Sequence, residues 1–489
     1  MPGDARSLAA GLALLGLVAA GCGSGSGSGG AAPAPRAGAS ATDTHGSAYD
    51  AAVSEPREDT VYPQVGDPGV DALHYTLDLA WDDRATRLTG TETMLFRATR
   101  SADHVRLDLA SQLLVGHVWL DGTPVSFDHS TKDLVVSASV TAGSRHVLQV
   151  TYGGTPEPVT APTDRADFST TGWTVAQDGT VWTMQEPFGA YSWYAVNDQP
   201  SDKAFYDFTI HAPAGKVGVA NGELRSRRTT SSGTTTRWRL PEPAASYLVT
   251  IAIGRFTETQ DTGPHDLPIT YWTPSGQPAI LREVRYAPQA VRYLEGLVGR
   301  YPFPTLGILV VPAMSAMETQ SMVTLGTSPY TLSRDVITHE IAHQWYGDTV
   351  TPADWSDLWM NEGMATYLAE ANWTGDHGPH SREDILQSWS RFAPGLRLKY
   401  GAPTHYRPGT FGEGNVYYIP ALMWDTIRQR LGDDEFWSLA TRWLQTHRYT
   451  SQDRDTLVAW WSKESGQDLS SLFDAWLEGT REPAWEASS

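Results

Sequence analysis

Between residues 61 and 257, apolar side chains recur at every second position in short runs. Tyr75, Leu77, Leu79 and Trp81 alternate with polar neighbours, as do Val105, Leu107 and Leu109, then Leu148, Val150 and Tyr152. Tyr206, Phe208 and Ile210 repeat the pattern, and Tyr247, Val249, Ile251 and Ile253 close the series. Successive side chains of a strand point to opposite faces, so these runs predict strands with one face in a core. Gly, Pro and Asp between them supply turns, and together they predict an antiparallel β domain, a sandwich or saddle of sheets. From residue 258 to 485 the pattern changes. Residues 282–299 place apolar positions at helical spacing, 308–311 read as a short buried strand, and from Ser333 onward nearly everything is helix and loop. Two folded domains of different kind are therefore expected, the second mainly helical.

The first sixty residues have neither pattern. Residues 8–20 form an apolar run behind Arg6, too short to span a bilayer and suited to a signal peptide. The run ends Val18-Ala19-Ala20-Gly21-Cys22, which resembles the lipobox of bacterial lipoproteins and implies that Cys22, the single cysteine of the chain, is lipidated. Residues 1–22 thus read as a signal peptide with a lipobox. Residues 23–60, rich in Gly and Ser and then in Ala and Pro, read as a flexible tether. The expectation is an exported, membrane-anchored protein whose folded part lies outside the cytoplasm.

Composition agrees with a large exported protein. The 489 residues are 40% hydrophobic and 19% charged, ordinary for a globular chain. A formal charge of −20 argues against a nucleic-acid surface, so no nucleic-acid partner is expected.

The candidate chemistry lies in His339-Glu340-Ile341-Ala342-His343. Residues four apart on a helix share one face about 5–6 Å apart, so both imidazoles can reach one ion, leaving Glu340 beside it to handle protons. Ser333 is suited to N-cap this helix, with Asp335 in its first turn. A second helical stretch at residues 356–372 carries Glu362, which would complete a His2Glu zinc site with one open position, a catalytic arrangement. Asp357 is a candidate to orient one of the histidines.

The stretch 339–347 and the stretch 355–363, with eighteen residues between His343 and Glu362, resemble the signature of the aminopeptidase N family of zinc metallopeptidases, the gluzincins. Tyr301-Pro302-Phe303-Pro304, Gln185-Glu186-Pro187 and Asn197-Asp198-Gln199-Pro200 also fit that family. The resemblance implies a thermolysin-like α+β catalytic domain over residues 258–485, one zinc ion on His339, His343 and Glu362, and Glu340 as general base. Ser315-Ala316-Met317-Glu318-Thr319 matches the family's substrate-binding edge strand, with Ser315 and Thr319 as departures. Ala316 and Met317 would then line the substrate, while Glu318 and Glu186 would pair with its free α-amine. The oxyanion donor is expected at Tyr417, with Tyr418 as rival, in a segment where Ile419 and Pro420 depart from the family pattern. Residues 468–479 and Pro483 resemble the end of the family's catalytic domain, and lack of the roofing domain of larger members implies a more open site. The implied activity is removal of N-terminal residues from peptides. A zinc endopeptidase of the same class and a non-catalytic surface-binding lipoprotein are the alternatives.

Overall fold

The computed structural model describes residues 47–487, so the expectations for residues 1–22, including Cys22, and for the tether as far as 46 lie outside the described residues. No described helix is long and apolar enough to cross a membrane.

The alternating runs form the expected strands except the last, where Tyr247 lies in the 3₁₀ turn Ser246–Leu248 and only Ile251–Gly254 is strand, buried on both faces. Strand Val70–Asp82 buries Tyr75, Leu77, Leu79 and Trp81 on one face and turns Thr76 and Asp78 to solvent. It lies inside an eight-stranded sheet, paired antiparallel with Arg87–Ala98 on one side. On the other side, Lys203–Pro213 runs parallel to it, a departure from the wholly antiparallel expectation. Hairpin neighbours are forced antiparallel, whereas Lys203–Pro213 returns only after a long excursion and its direction is set by packing. That excursion contributes to a second, five-stranded sheet, where Val181–Met184 and Val217–Ala220 flank Ile251–Gly254. Trp173, Trp193, Tyr194 and Trp238 fill the space around these sheets.

The chain passes to the second domain at residues 254–256, because Phe256–Thr262 already pairs with Pro268–Pro274. Those two strands continue into a mixed sheet through Leu306–Val310 and Met322–Leu325, and Ala316–Met317 forms its antiparallel edge. Helices cover this sheet. The helical pattern of 282–299 is realised as two helices, Pro278–Val284 and Ala287–Val298. Pro288 has no N–H to continue the first helix, but it is tolerated in the first turn of the second. The stretch carrying Glu362 is likewise composite: a short 3₁₀ turn, helix Trp359–Thr366, and a π-helical segment Tyr367–Trp373.

The expected tether must be shortened. Residues 47–60 are part of the fold: Ser47–Ala52 is a 3₁₀ helix, Ala52 packs with Leu73 and Leu95, and Asp59 is buried. Arg57 pairs with Asp453, and the Thr60 hydroxyl donates to Asp354 at 2.7 Å. These polar side chains find partners at long range that composition alone does not announce. The two domains also share apolar packing, since Trp272, Leu309, Met322, Trp355 and Leu358 join the β-domain core.

Candidate active site

Helix Arg334–Ala342 begins where Ser333 Oγ accepts the Val336 N–H at 3.3 Å, and it ends on His343. Ile337, Ile341 and Ala342 bury its other faces, so His339 and His343 look together into a cleft of about 660 Å³. Helix Trp359–Thr366 is held by buried Trp359, Met360 and Met364 and delivers Glu362 to the same point. His339 Nε2 lies 3.2 Å and His343 Nε2 3.3 Å from Glu362 Oε2, and the two Nε2 atoms are 3.0 Å apart.

That triangle fits a metal ion. Three ligand atoms each at roughly 2.0–2.1 Å from a tetrahedral zinc stand about 3.3 Å from one another. Two imidazole nitrogens facing each other with a carboxylate oxygen are a donor set that a cation satisfies. His343 Nδ1 donates to the Tyr346 carbonyl oxygen at 3.0 Å, which fixes its tautomer and leaves Nε2 with a free lone pair. Burial opposes ionisation of Glu362, but His343 first, and His339 with it, hold its carboxyl well below the usual range.

Four buried carboxyl groups converge here. Glu186, Glu318 and Glu362 present oxygens within 4.8 Å of one another, and Oε1 of both Glu186 and Glu318 has no hydrogen-bond partner among the described residues. Burial, then the neighbouring carboxylates, pushes Glu186 well above its ordinary value, and burial followed by Glu318 does the same to Glu340. Edge strand Ala316–Met317 offers its unpaired side to the cleft. Its position is tied to the histidine helix by Gln344, whose Nε2 donates to the Glu318 carbonyl oxygen at 2.9 Å. Of the two departures in this segment, Ser315 lines the cleft, whereas the Thr319 hydroxyl points inward to Thr324 and the Met322 carbonyl.

Tyr417 and Tyr418 diverge. The Tyr417 ring lies 6.1 Å from that of His339, nearly parallel, and burial followed by Glu362 keeps its phenol well above the ordinary value, hence protonated. Tyr418 also lines the cleft, but its ring packs on Trp389 and Phe392. The structure thus brings together His339, Glu340, His343, Glu362, Glu186, Ala316, Met317, Glu318 and Tyr417 around one cleft.

Asp357 does not orient a histidine. Its Oδ1 accepts from Trp359 Nε1 at 3.1 Å and its Oδ2 from the Arg454 N–H at 2.9 Å, so it anchors the entry of the Glu362 helix. The 3₁₀ turn before that helix aims the side chain away from the metal ligands, and the Tyr346 carbonyl takes the orienting role. Arg165, Gln344 and Lys203 escaped the sequence reading. Arg165 reaches the cleft from the β domain, and the buried Lys203 ammonium donates to the Asp348 carbonyl oxygen at 2.7 Å. Gln344 follows directly on His343, the one positional signal among them.

Comparison with known proteins gives a consistent picture. Residues 71–248 match the peptidase M1 N-terminal domain and residues 287–395 match the peptidase family M1 domain. An aminopeptidase N of Acetobacter pasteurianus is 26% identical over 60% of this chain and 88% of its own length. An aminopeptidase N of Streptomyces lividans is 24% identical over 84% of this chain and 50% of its own. The chain spans less than half of several other curated relatives, among them aminopeptidase 2 of Candida albicans, with 47% covered. An M1 zinc metallopeptidase of Deinococcus radiodurans, solved as a mutant bound to a Tyr-Ser-Ala substrate, superposes with a TM-score of 0.76 at 23% identity, covering 88% of this chain and 99% of that one. Native yeast LTA4 hydrolase reaches 0.70 at 19% identity, covering 85% and 68%. These two likenesses concern the fold.

Proposed function

The chain belongs to peptidase family M1, and from that premise we propose that it is a zinc-dependent aminopeptidase acting on peptides with a free N-terminus. The observation that carries this reading is the pair of buried, unpartnered Oε1 atoms of Glu186 and Glu318 beside the three metal-ligand candidates. Two carboxylates converging on one point suit an ammonium group, and a mid-chain amide could not repay their burial.

His339, His343 and Glu362 would hold the ion. Zinc bound there would supply Lewis acidity and make water a usable nucleophile near neutral pH. Glu340 takes a proton from the attacking water on its carboxylate and passes it to the leaving amine nitrogen. Tyr417 Oη donates to the substrate carbonyl oxygen as negative charge develops on it. Glu186 and Glu318 hold the substrate amine, and the free edge of Ala316–Met317 holds its backbone, which fixes which peptide bond faces Glu340.

The test is hydrolysis of an aminoacyl-anilide and of its N-acetylated form by the zinc-loaded protein. The free-amine substrate should turn over and the blocked one should not. Comparable rates on both, or cleavage inside a blocked polypeptide, would instead mark an endopeptidase. For residues 1–22 the proposal stays an exported lipoprotein anchored at the membrane through Cys22. It is supported by the apolar run that ends in that cysteine, and it is checked by labelling with a radioactive fatty acid, which Cys22→Ser should abolish.

A further inference from the structure

Arg165 stands on a β-domain loop, yet it touches Tyr417, whose ring lies beside that of His339. Its Nη1 donates to Tyr417 Oη at 3.2 Å and to the Gly412 carbonyl oxygen at 3.0 Å. Its Nε and Nη2 donate to the two carboxylate oxygens of Asp167, at 3.3 and 2.8 Å. A guanidinium has five N–H donors in a rigid fork, so Arg165 is nearly saturated and its plane is fixed.

The loop carrying it is stitched to the segment carrying Tyr417. The Thr163 hydroxyl donates to the Phe411 carbonyl oxygen at 2.7 Å, and the Phe411 N–H donates to the Pro162 carbonyl oxygen at 3.0 Å. Gly412 allows the close approach: its φ is +66°, and a Cβ there would come within 3.3 Å of Arg165 Nη1.

We infer that Arg165, paired with Asp167, is a positioning residue for the Tyr417 hydroxyl, so that the β domain contributes to the chemical step. Two features of the contact support this. First, guanidinium cannot accept a hydrogen bond. The phenolic oxygen therefore accepts from Arg165, and its own proton is left to point elsewhere, towards the cleft. Second, a cation beside the oxygen stabilises the negative charge that grows on the phenol as its hydroxyl donates to an oxyanion, a charge-assisted arrangement. The competing role for the only Arg or Lys lining the cleft among the described residues, capture of a substrate's C-terminal carboxylate, is disfavoured because Asp167 already pairs with the fork.

The inference rests on Tyr417 being the oxyanion donor, and the experiment separates the two. Zinc-loaded wild type, Arg165→Met, Arg165→Lys, Tyr417→Phe and the Arg165→Met/Tyr417→Phe double variant are compared by kcat and KM, with zinc content measured for each. Arg165→Met should lower kcat by about tenfold, the size of one charge-assisted hydrogen bond, with KM within about twofold and zinc retained. Arg165→Lys should recover part of the loss. In the Tyr417→Phe background the same Arg165→Met change should cost less than about twofold, because its target is gone. An equal loss in both backgrounds, unchanged kcat in Arg165→Met while Tyr417→Phe is impaired, or a KM increase confined to substrates with a free C-terminal carboxylate would overturn the inference. Unchanged kcat in Tyr417→Phe would instead remove the reading beneath it.

Discussion

His343 Nδ1 donates to the carbonyl oxygen of Tyr346, three residues on, across 3.0 Å. This contact arises because the helix ends at His343 and the chain folds back: the Tyr346 N–H still reaches the Ala342 carbonyl, while its own carbonyl turns to the imidazole. The ring is thereby locked with Nε2 towards Glu362. Removing zinc with a chelator should abolish activity, and zinc add-back should restore it. His343→Ala should lower bound zinc from one equivalent towards none after dialysis, read by atomic absorption. Full zinc occupancy in that variant would show that the ligand set is misassigned.

Glu340 is buried beside the ligands and is not required for their geometry. Glu340→Gln keeps the size of the side chain and removes its ability to take a proton. Bound zinc should remain at the wild-type level while kcat falls by about 10²–10⁴, the usual range for loss of general acid–base catalysis. Wild-type turnover in a zinc-replete Glu340→Gln protein would eliminate it as the base.

Glu186 and Glu318 come from different domains, one at the end of a β-domain strand and the other beyond the edge strand of the catalytic sheet. Hydrogen bonds to charged groups contribute about 1.5–3 kcal/mol each. Glu186→Gln should therefore reduce kcat/KM for free-amine substrates by roughly 10- to 100-fold, with zinc content unchanged. An equal effect on a substrate lacking the amine would point to a structural role.

Much of this site could be read from residue order. The ligands, the base and Ser333 follow helical spacing, and period-two runs placed the β strands because each strand buries one face. Contacts that form only in the folded state were not legible. Arg165 and Lys203 act across the domain boundary, with no local pattern that marks them. The direction of Asp357 depends on a 3₁₀ turn, and residues 47–60 dock in part through Asp354, Trp355 and Asp453, which lie about three hundred residues or more away.

Asp59 gives this docked segment a pH dependence. Its Oδ1 accepts the N–H groups of Val61 and Tyr62, its Oδ2 accepts that of Trp355 at 2.7 Å, and burial followed by the charge of Asp354 pushes its carboxyl from 3.8 up to about 6. The folded protein therefore keeps a proton that the unfolded chain releases near pH 4. Its contribution is fully present below that pH and declines as pH rises through about 6. Roughly two units at 1.36 kcal/mol each bound the effect at about 3 kcal/mol. Urea unfolding between pH 4 and 7 should show wild type losing stability relative to Asp59→Asn as pH increases. A difference between the two proteins that is flat with pH would reject burial of this carboxyl as the cause.

Gly363 follows Glu362 and faces Pro420 on the neighbouring helix Tyr418–Leu431. A Cβ at Gly363 would lie 2.5 Å from Pro420 Cγ and 2.6 Å from its Cβ, and neither a proline ring nor a packed helix can yield cheaply. Gly363→Ala should therefore force the two helices apart, costing about 1–3 kcal/mol of stability through overpacking. The same displacement moves Glu362 relative to His339 and His343, so zinc affinity should fall by roughly 10- to 100-fold, as when support of a ligand is lost. Pro420→Gly alone leaves the triangle in place and should bind zinc normally. Added to Gly363→Ala, it removes both clashing atoms, Cβ and Cγ, and should recover much of the affinity, read by competition with a chromogenic chelator. If the double variant binds zinc no better than Gly363→Ala, the separation of these helices is not what sets the position of Glu362.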